Sequence, residues 1–187
     1  LVKQGYKVVT CSRSKKVWLD VMQKYPELKS VDYQSVDIAN ERQLDDLFAH
    51  IEAQYGKLDV AVNNASPALA SRGYLPKVDV PFLKETLHVD FLCQALCLRS
   101  ELKLMEAGAS IVNVSSVNGL RPTPNASMYS AAKHALEGLT RSVALESIKS
   151  GIRINAVAPG VTWTPRWEEK QLENPNIRTD VSDVVPI

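Results

Sequence analysis

Three residues in the second half of the chain have the types and spacing that acid–base chemistry needs: Ser116, Tyr129 and Lys133. Tyr129 and Lys133 are four residues apart in a helical pattern, so both side chains should project from one face, about 6 Å apart along the axis. An ammonium beside a phenol favours the phenolate and lowers the tyrosine pKa from about 10 toward neutrality. Ser116 follows an apolar strand and could hold a carbonyl oxygen beside the phenol. These residues predict a general acid/base, although a Tyr–Lys pair at this spacing also occurs on purely structural helices.

The elements that must position these residues alternate between apolar strands and amphipathic helices. This alternation predicts an α/β fold, a doubly wound, Rossmann-like parallel sheet with helices on both faces. Strands are predicted over 6–10, 31–36, 58–62, 111–114 and 152–157, and helices over 41–55, 81–105 and 126–149. In such a sheet the first strand lies between the second and the fourth. The chain opens in a helix before the second strand, so we expect 1–187 to be one domain that lacks its first strand and its C-terminal portion.

The segment 116–133, SVNGLRPTPNASMYSAAK, resembles the active site of the short-chain dehydrogenase/reductase family, in which a Ser precedes the Tyr of a Y-x-x-x-K motif by thirteen residues. Other family signatures have counterparts in the same order along the chain. They are Asp37-Ile38, Asn63-Asn64-Ala65 and Pro159-Gly160, each at the end of a predicted strand. The resemblance covers nearly the whole chain, which is identified on these motifs as a member of the classical type.

The resemblance implies a nicotinamide-dependent oxidoreductase that moves a hydride between its cofactor and a carbonyl or secondary alcohol. It implies that Tyr129 exchanges a proton with the substrate oxygen, that Ser116 positions that oxygen, and that Lys133 lowers the tyrosine pKa and holds the nicotinamide ribose. The glycine-rich loop that binds pyrophosphate in the family has no counterpart in the sequence. Cofactor contacts are expected from Ser12, Arg13, Asp37, Ile38, Asn64, Ala65, Tyr129, Lys133, Pro159, Gly160, Thr162 and Thr164.

Two further departures from the family pattern lie close to the expected site. Ser66 stands where the family has a Gly after N-N-A, and we expect a small backbone shift to accommodate it. Asp90 stands where the long helix of the family carries an Asn that holds a water for proton relay. Asp90 either keeps that role in altered form or weakens the relay with its negative charge. The first alternative predicts that Asp90→Asn leaves turnover within about tenfold.

The strand end at Ser12 and Arg13 predicts a preference for NADP(H), with NAD also possible. An acidic residue there would bind the ribose 2′-hydroxyl, whereas the planar fork of an arginine suits a 2′-phosphate. The alternative is that Arg13 is one of several solvated surface charges.

Past Pro159-Gly160, the side chains of Trp163, Arg166 and Trp167 could form a lid over the substrate or a packed hinge. Asn118 and Met128 are expected walls of the substrate pocket. The two long predicted helices carry more apolar surface than one sheet face would bury, which favours a homodimer or homotetramer. The substrate itself stays open.

Composition excludes several other classes of function. Apolar residues make up 45% of the 187 residues, charged residues 23%, and the formal charge is +1, as in an ordinary globular domain with no electrostatic reason to bind nucleic acid or an anionic membrane. We expect no membrane span, no signal peptide, and no metal site among the scattered histidines. Cys11, Cys93 and Cys97 show neither metal-site nor disulfide spacing, which favours a reducing, cytoplasmic location. A rival interpretation is a non-catalytic relative that binds nucleotide as a sensor or scaffold.

Overall fold

The computed structural model describes residues 1–67, 71–163, 168 and 171–176. Within them, strands and helices alternate along the chain. The strands are β1 (Val9–Ser12), β2 (Asp32–Ser35), β3 (Leu58–Asn63), β4 (Met105–Val114) and β5 (Arg153–Val157). The α-helices are α1 (Lys15–Lys24), α2 (Glu41–Tyr55), α3 (Val80–Leu87), α4 (Cys93–Lys103) and α5 (Ser127–Glu146).

The strands pair only in parallel in the part of the chain that the structure describes, which confirms the predicted α/β class. They form two sheets, β1-β2 and β3-β4-β5, rather than one continuous sheet. Among the described residues no strand pairs with both β1 and β3, and the predicted order leaves a place for one there. Because the strands are parallel, the residues that follow them gather at the carboxyl edges of the sheets.

The core lies between the three-stranded sheet and the helices that pack on it. Alternate residues of β4 are buried, and its buried Ile111 packs in one cluster with Leu98 of α4 and Leu139 of α5. Residues of the opposite parity are more exposed, and Val62 of β3 is 53% exposed. A second cluster joins α2 to α4, since Leu47 packs against Cys97. These clusters place α5, which carries Tyr129 and Lys133, against the sheet that ends near Ser116.

Helix α2 shows how local sequence sets the boundaries that the pattern predicts. The Asn40 side chain caps its first turn by accepting from the backbone N–H of Gln43 at 3.1 Å. Its apolar stripe of Leu44, Leu47 and Ile51 is buried. Gly56 ends the helix at a φ of 77°, a conformation that favours glycine. The predicted range 41–55 is therefore confirmed.

The long predicted helix over 81–105 differs from the structure in two respects. It is interrupted by a π-helical segment, His88–Leu92, between α3 and α4. It also ends at Lys103, so Met105 begins β4 instead of ending the helix. π-Helical turns are frequent at functional sites because they change the direction of the side chains they contain. Asp90 lies in the middle of this segment.

A chain of buried polar side chains joins the elements that surround the site. Asn63 of β3 donates to Glu101 Oε2 at 2.9 Å and to Asn113 Oδ1 at 3.0 Å. Asn113 in turn donates to the Thr140 hydroxyl on α5 at 2.9 Å. Burial raises the pKa of Glu101 to about 7. Because each partner comes from a different strand or helix, the chain fixes α4 and α5 against β3 and β4.

The cysteines pack as the sequence predicts. Cys93 and Cys97 are buried, Cys11 is half-buried, and all three are free thiols. Burial raises the pKa of Cys93 to about 11 and moves that of Cys97 well above its ordinary value. In the described part of the chain, no helix combines the length and hydropathy that crossing a bilayer requires.

Candidate active site

The predicted trio comes from two neighbouring segments of the structure. Tyr129 and Lys133 lie one turn apart on α5, with the Lys133 ammonium 5.6 Å from the centre of the Tyr129 ring. Ser116 follows β4, and its hydroxyl accepts from the backbone N–H of Asn118 at 3.1 Å, which caps the short turn Val117–Gly119. Both Ser116 and Tyr129 are half-buried, so the hydroxyls lie at the edge of the core.

Gly119 allows this turn to approach α5 closely. A Cβ at this position would lie 2.9 Å from the backbone oxygen of Lys133 and 2.8 Å from the Ser115 hydroxyl. A side chain of any size would therefore push the turn away from the helix. The small residue lets Ser116 and Lys133 occupy the same site.

The loop that follows β5 also reaches the site. The backbone N–H of Ser115 donates to Val157 O at 2.7 Å, and that of Val117 donates to Pro159 O at 3.0 Å. These bonds extend the pairing of β4 and β5 past the ends of the strands. As a result, Pro159 lies beside the catalytic candidate Ser116.

Lys133 is held within the core by two oxygens. Its side chain is 3% exposed, and its ammonium donates to Val114 O at 3.1 Å. Asp90 Oδ1 lies 3.4 Å from the same nitrogen, and the Asp90 side chain is 1% exposed. Burial lowers the pKa of Lys133, and the charge of Asp90 acts in the opposite direction. The structure thus pairs the lysine with an acid that the family pattern does not have.

The surroundings of Tyr129 correct the predicted acidity of its phenol. The sequence predicts that Lys133 lowers the pKa of Tyr129, but burial raises that pKa, and the charge of Asp90 raises it further. The Ser116 hydroxyl acts in the opposite direction. The main reason is desolvation, because a poorly solvated phenol loses its proton less readily than one in water.

Asp90 and Ser66, the two departures near the site, contact each other. The Ser66 hydroxyl donates to Asp90 Oδ1 at 2.7 Å, while Asp90 Oδ2 is buried and finds no partner among the described residues. Burial raises the pKa of Asp90, and Ser66 and Lys133 oppose that rise. Ser66 therefore does more than replace a glycine, because it binds the carboxyl that faces the lysine.

The cofactor candidates lie along the carboxyl edges of both sheets. Ser12 and Arg13 follow β1 and are exposed, and Ser12 Oγ lies 3.0 Å from the hydroxyl of Tyr33. Arg13 makes no hydrogen bond or ion pair with the residues that the structure describes. Tyr33 stacks on Trp18, with ring centres 5.0 Å apart. An exposed arginine that has no partner in the described part of the chain and follows a serine in sequence can bind a phosphate.

Asp37 and Ile38 follow β2 in a turn that faces the helices. Asp37 Oδ1 accepts from the backbone N–H of Ala39 at 3.0 Å, and its second oxygen has no hydrogen-bond partner among the described residues. The His88 ring lies 3.5 Å from Ala39 O, which brings this turn near the π-helical segment that contains Asp90. Asp37 and Ile38 are thus near the same group of elements as the trio.

Exposed residues after β3 and β5 complete the edge. Asn64 and Ala65 are exposed, and Gln94 of α4 donates to Ala65 O at 2.6 Å. Gly160 and Thr162 are also exposed. Thr164, Arg166 and Trp167 lie outside the described residues, so their expected roles stay predictions. Asn118 and Met128 are half-buried beside Ser116 and Tyr129.

Sequence reasoning missed several contributors to the site. The π-helical turn has no simple sequence signal, because the apolar stripe continues through it. Gln94, which holds the loop after β3, was not singled out, although its spacing of four from Asp90 is a helical neighbour position. Gly119 lies within the recognised motif, but only its contact with Lys133 explains why a glycine stands there.

Comparison with known proteins gives concordant results. A family model described as "Enoyl-(Acyl carrier protein) reductase" matches residues 1–187. The chain is 36% identical over 184 residues to a "3beta-hydroxysteroid dehydrogenase" of Mediterraneibacter gnavus, covering 97% of the chain and 65% of that relative. It is 33% identical over 155 residues to a "Levodione reductase" of Leifsonia aquatica, covering 81% of the chain and 58% of that relative.

A solved structure, "ElxO with NADP Bound", superposes with a TM-score of 0.91 at 29% identity, covering 99% of this chain and 75% of that one. The chain spans about half to two thirds of the length of curated relatives that it matches, with shares of 65%, 52% and 51% for three of them.

Proposed function

The chain belongs to the short-chain dehydrogenase/reductase family, and from this membership we propose that it is an NADP(H)-dependent oxidoreductase that interconverts a carbonyl compound and a secondary alcohol. The observation that carries the proposal is the placement of Tyr129 and Lys133 on one face of α5, with Ser116 at the end of β4. The relatives named as dehydrogenases and reductases support the reaction class.

The residues at the carboxyl edges fit a nicotinamide dinucleotide. Arg13 and Ser12 would hold the 2′-phosphate, Asp37 and Ile38 the adenine, and Lys133 the nicotinamide ribose. The remaining contacts would come from Asn64, Ala65, Tyr129, Pro159, Gly160, Thr162 and Thr164. The guanidinium of Arg13, which is exposed and has no partner among the described residues, is the structural feature that fits the phosphate. When bound, the nicotinamide supplies or accepts the hydride, which side chains cannot do.

The chain's own residues handle the substrate oxygen and its proton. Ser116 is proposed to donate a hydrogen bond to that oxygen, and Tyr129 to give it a proton in reduction or remove one in oxidation. Tyr129 is half-buried, so exchange with bulk water competes less with this transfer. Asp90 completes the proposed catalytic group through its contact with Lys133.

The test of the proposed reaction is NADPH oxidation, followed by absorbance, with a panel of ketones, aldehydes and diketones. The panel should include a 3-ketosteroid and a cyclic diketone, since two relatives carry names of that kind. Tyr129→Phe should lower kcat by about 10² to 10⁴. Tyr6→Phe, a change at an exposed tyrosine, is the matched control and should leave kcat unchanged. Equal activity of the two variants would remove Tyr129 from the mechanism.

The proposed cofactor preference is tested separately. Arg13→Ala should raise the KM for NADPH about tenfold to a hundredfold, the worth of one charge-assisted hydrogen bond, and leave the KM for NADH unchanged. Arg153→Ala is the control, because Arg153 is an exposed arginine at the amino end of β5, the opposite edge of the sheet. Equal efficiency with both cofactors in the parent enzyme would refute the preference for NADP(H).

One observation favours the alternative of a weakly catalytic nucleotide-binding protein. The buried Asp90–Lys133 contact and the raised pKa of Tyr129 both oppose formation of the phenolate. Tight NADPH binding, measured by fluorescence, without turnover of any carbonyl in the panel would support a sensor or scaffold.

The proposal also includes a cytoplasmic location and a homodimer or homotetramer. The free thiols favour a reducing compartment. Exposed apolar residues on and after the two long helices, Leu87, Leu92, Leu145 and Ile148, favour self-association. Light scattering of the purified chain would give the oligomeric state.

A further inference from the structure

The hydrogen bond between Ser66 and Asp90 joins two positions that differ from the family pattern. The two residues are 24 positions apart, one after β3 and the other in the π-helical segment, yet their oxygens are 2.7 Å apart. Local geometry does not bring them together, so their contact is a property of the fold. Ser66, in place of a Gly, supplies a hydroxyl, and Asp90, in place of an Asn, accepts the hydrogen bond that this hydroxyl donates.

The same carboxyl reaches the lysine of the catalytic trio. Asp90 Oδ1 lies 3.4 Å from Lys133 Nζ with both side chains almost fully buried, and the lysine is also bound to Val114 O. Ser66, Asp90 and Lys133 therefore form a continuous series of contacts that ends 5.6 Å from the Tyr129 ring. Ser66 is exposed, whereas Asp90 and Lys133 are buried, and between these two poorly solvated groups the position and charge of each act on the other.

Starting from the proposed function, we propose that Ser66 and Asp90 are a positioning pair that holds the Lys133 ammonium and restrains its effect on Tyr129, so that the phenol keeps its proton through neutral pH. Reduction needs that proton. In reduction, the O–H bond of Tyr129 would break and its proton would go to the substrate oxygen, which leaves a tyrosinate. Bound NADPH would supply the hydride that the substrate carbon needs to become an alcohol. Oxidation needs the phenol to lose its proton first, so this direction is confined to alkaline conditions.

The charges around the three groups are consistent with this role. Among the described residues, the only charged groups that shift the pKa values of Asp90, Lys133 and Tyr129 belong to Asp90 and Lys133. Hydrogen bonds from the Ser66 and Ser116 hydroxyls also shift the pKa values of Asp90 and Tyr129. Asp90 raises the pKa of Tyr129, and Ser66 helps keep Asp90 ionised by lowering its pKa. Removing the charge of Asp90 should therefore make the phenol more acidic.

A direct test titrates Tyr129 by its tyrosinate absorbance, which needs no turnover. The spectrum of the parent minus that of Tyr129→Phe isolates this one phenol from the other five tyrosines of the chain. The same difference, measured in an Asp90→Asn background, should show a midpoint at lower pH. Asp46→Asn removes an exposed carboxylate on α2 and should leave the midpoint where the parent has it. An unchanged midpoint in Asp90→Asn would overturn the proposal. Asp90→Ala carries the same test if Asp90→Asn does not fold.

The role of Ser66 is tested by a double-mutant cycle in urea. Ser66→Ala should lower the unfolding midpoint of the parent and leave that of Asp90→Ala unchanged, because its partner is then missing. Equal shifts in both backgrounds would remove Ser66 from the pair.

Measurements of turnover distinguish a failure of this proposal from a failure of the proposed function. In the active enzyme, Asp90→Asn should move the acid limb of kcat/KM for alcohol oxidation to lower pH, a change that a purely structural role would not produce. A shifted Tyr129 titration in a protein that turns over no carbonyl would support the positioning pair and contradict the proposed reaction.

Discussion

Two aspartates of this protein each contact a basic side chain and differ in almost every other respect. Asp32 lies 2.7 Å from the His50 ring, and its carboxylate also accepts from Gln34 at 2.6 Å and Tyr55 at 3.0 Å. Asp90 is more deeply buried, accepts one hydrogen bond from Ser66, and keeps one oxygen without a partner among the described residues. The first carboxylate is fully satisfied near the surface, whereas the second is only partly satisfied in the core.

The pKa values move in opposite directions as a result. The hydrogen bond from His50 is the main cause that lowers the pKa of Asp32, whereas burial raises that of Asp90. Hydrogen bonds to the charged form stabilise it, and desolvation destabilises it. A carboxylate kept in an unfavourable place beside Lys133 and Tyr129 is therefore better explained by the chemistry of the site than by stability. The contact of Asp32 with His50 and Tyr55 joins β2 to α2 and is explained by stability alone.

The largest expected effect comes from removing the cation of the buried pair. Lys133→Met should lower the free energy of unfolding by about 3–5 kcal/mol, because it leaves the Asp90 charge buried without a cation beside it. Adding Asp90→Asn to this variant should restore part of the loss, since the uncompensated charge is then gone. Urea unfolding of the two variants makes the measurement. A loss below about 1 kcal/mol in the single variant would mean that the pair is already neutral.

A smaller loss of stability is expected at Gly119, which packs against the backbone of the same lysine. Gly119→Ala should destabilise the fold by about 1–3 kcal/mol, because the new methyl group would lie 2.9 Å from Lys133 O. Gly138→Ala on α5, the helix that carries Lys133, is the control. Its Cβ would meet no atom within 4 Å, so it should be neutral or slightly stabilising. Equal stability of the two variants would show that the turn can move away from α5 freely.

The surface aspartate should have a modest effect with a defined pH dependence. Asp32→Asn should lower the free energy of unfolding by about 1 kcal/mol at neutral pH. The folded state lowers the pKa of Asp32, so its contribution is fully present above the unfolded pKa of about 3.9 and is lost as pH falls through the folded value. The difference between parent and variant should therefore be constant from about pH 6 to 5 and shrink below about pH 4. A difference that grew on acidification would contradict the lowered pKa.

The sequence predicts what local patterns determine. The ends of α2 follow from Asn40 and Gly56, and the common face of Tyr129 and Lys133 follows from a spacing of four on α5. The parallel strand pairing also follows from the alternation of apolar segments and helices. These features depend on neighbours within one element or on the connection between two elements.

The remaining features depend on contacts between distant segments. No local pattern shows that Ser66 contacts Asp90. Ser66 lies in the loop after β3 and Asp90 in the π-helical segment, and only the tertiary fold brings the two together. For the same reason, the sequence predicts a lowered pKa for Tyr129, whereas burial raises it. This pKa depends on burial and on the position of Asp90, and the four-residue spacing determines neither.

The smallest effect is expected at a third contact of a basic side chain with carboxylates, which lies wholly at the surface. Lys57 Nζ is 3.4 Å from Asp59 and 3.6 Å from Glu106, and all three side chains are more than half exposed. Water and salt screen such charges. Lys57→Ala should therefore have the same urea midpoint as the parent, within experimental error, both at roughly 0.05 M salt and at about 1 M salt. A salt-dependent loss of stability would show that short distances between opposite charges stabilise this protein irrespective of burial. The contrast between Asp32 and Asp90 would then lose its physical basis, because that contrast requires solvation to decide what each contact does.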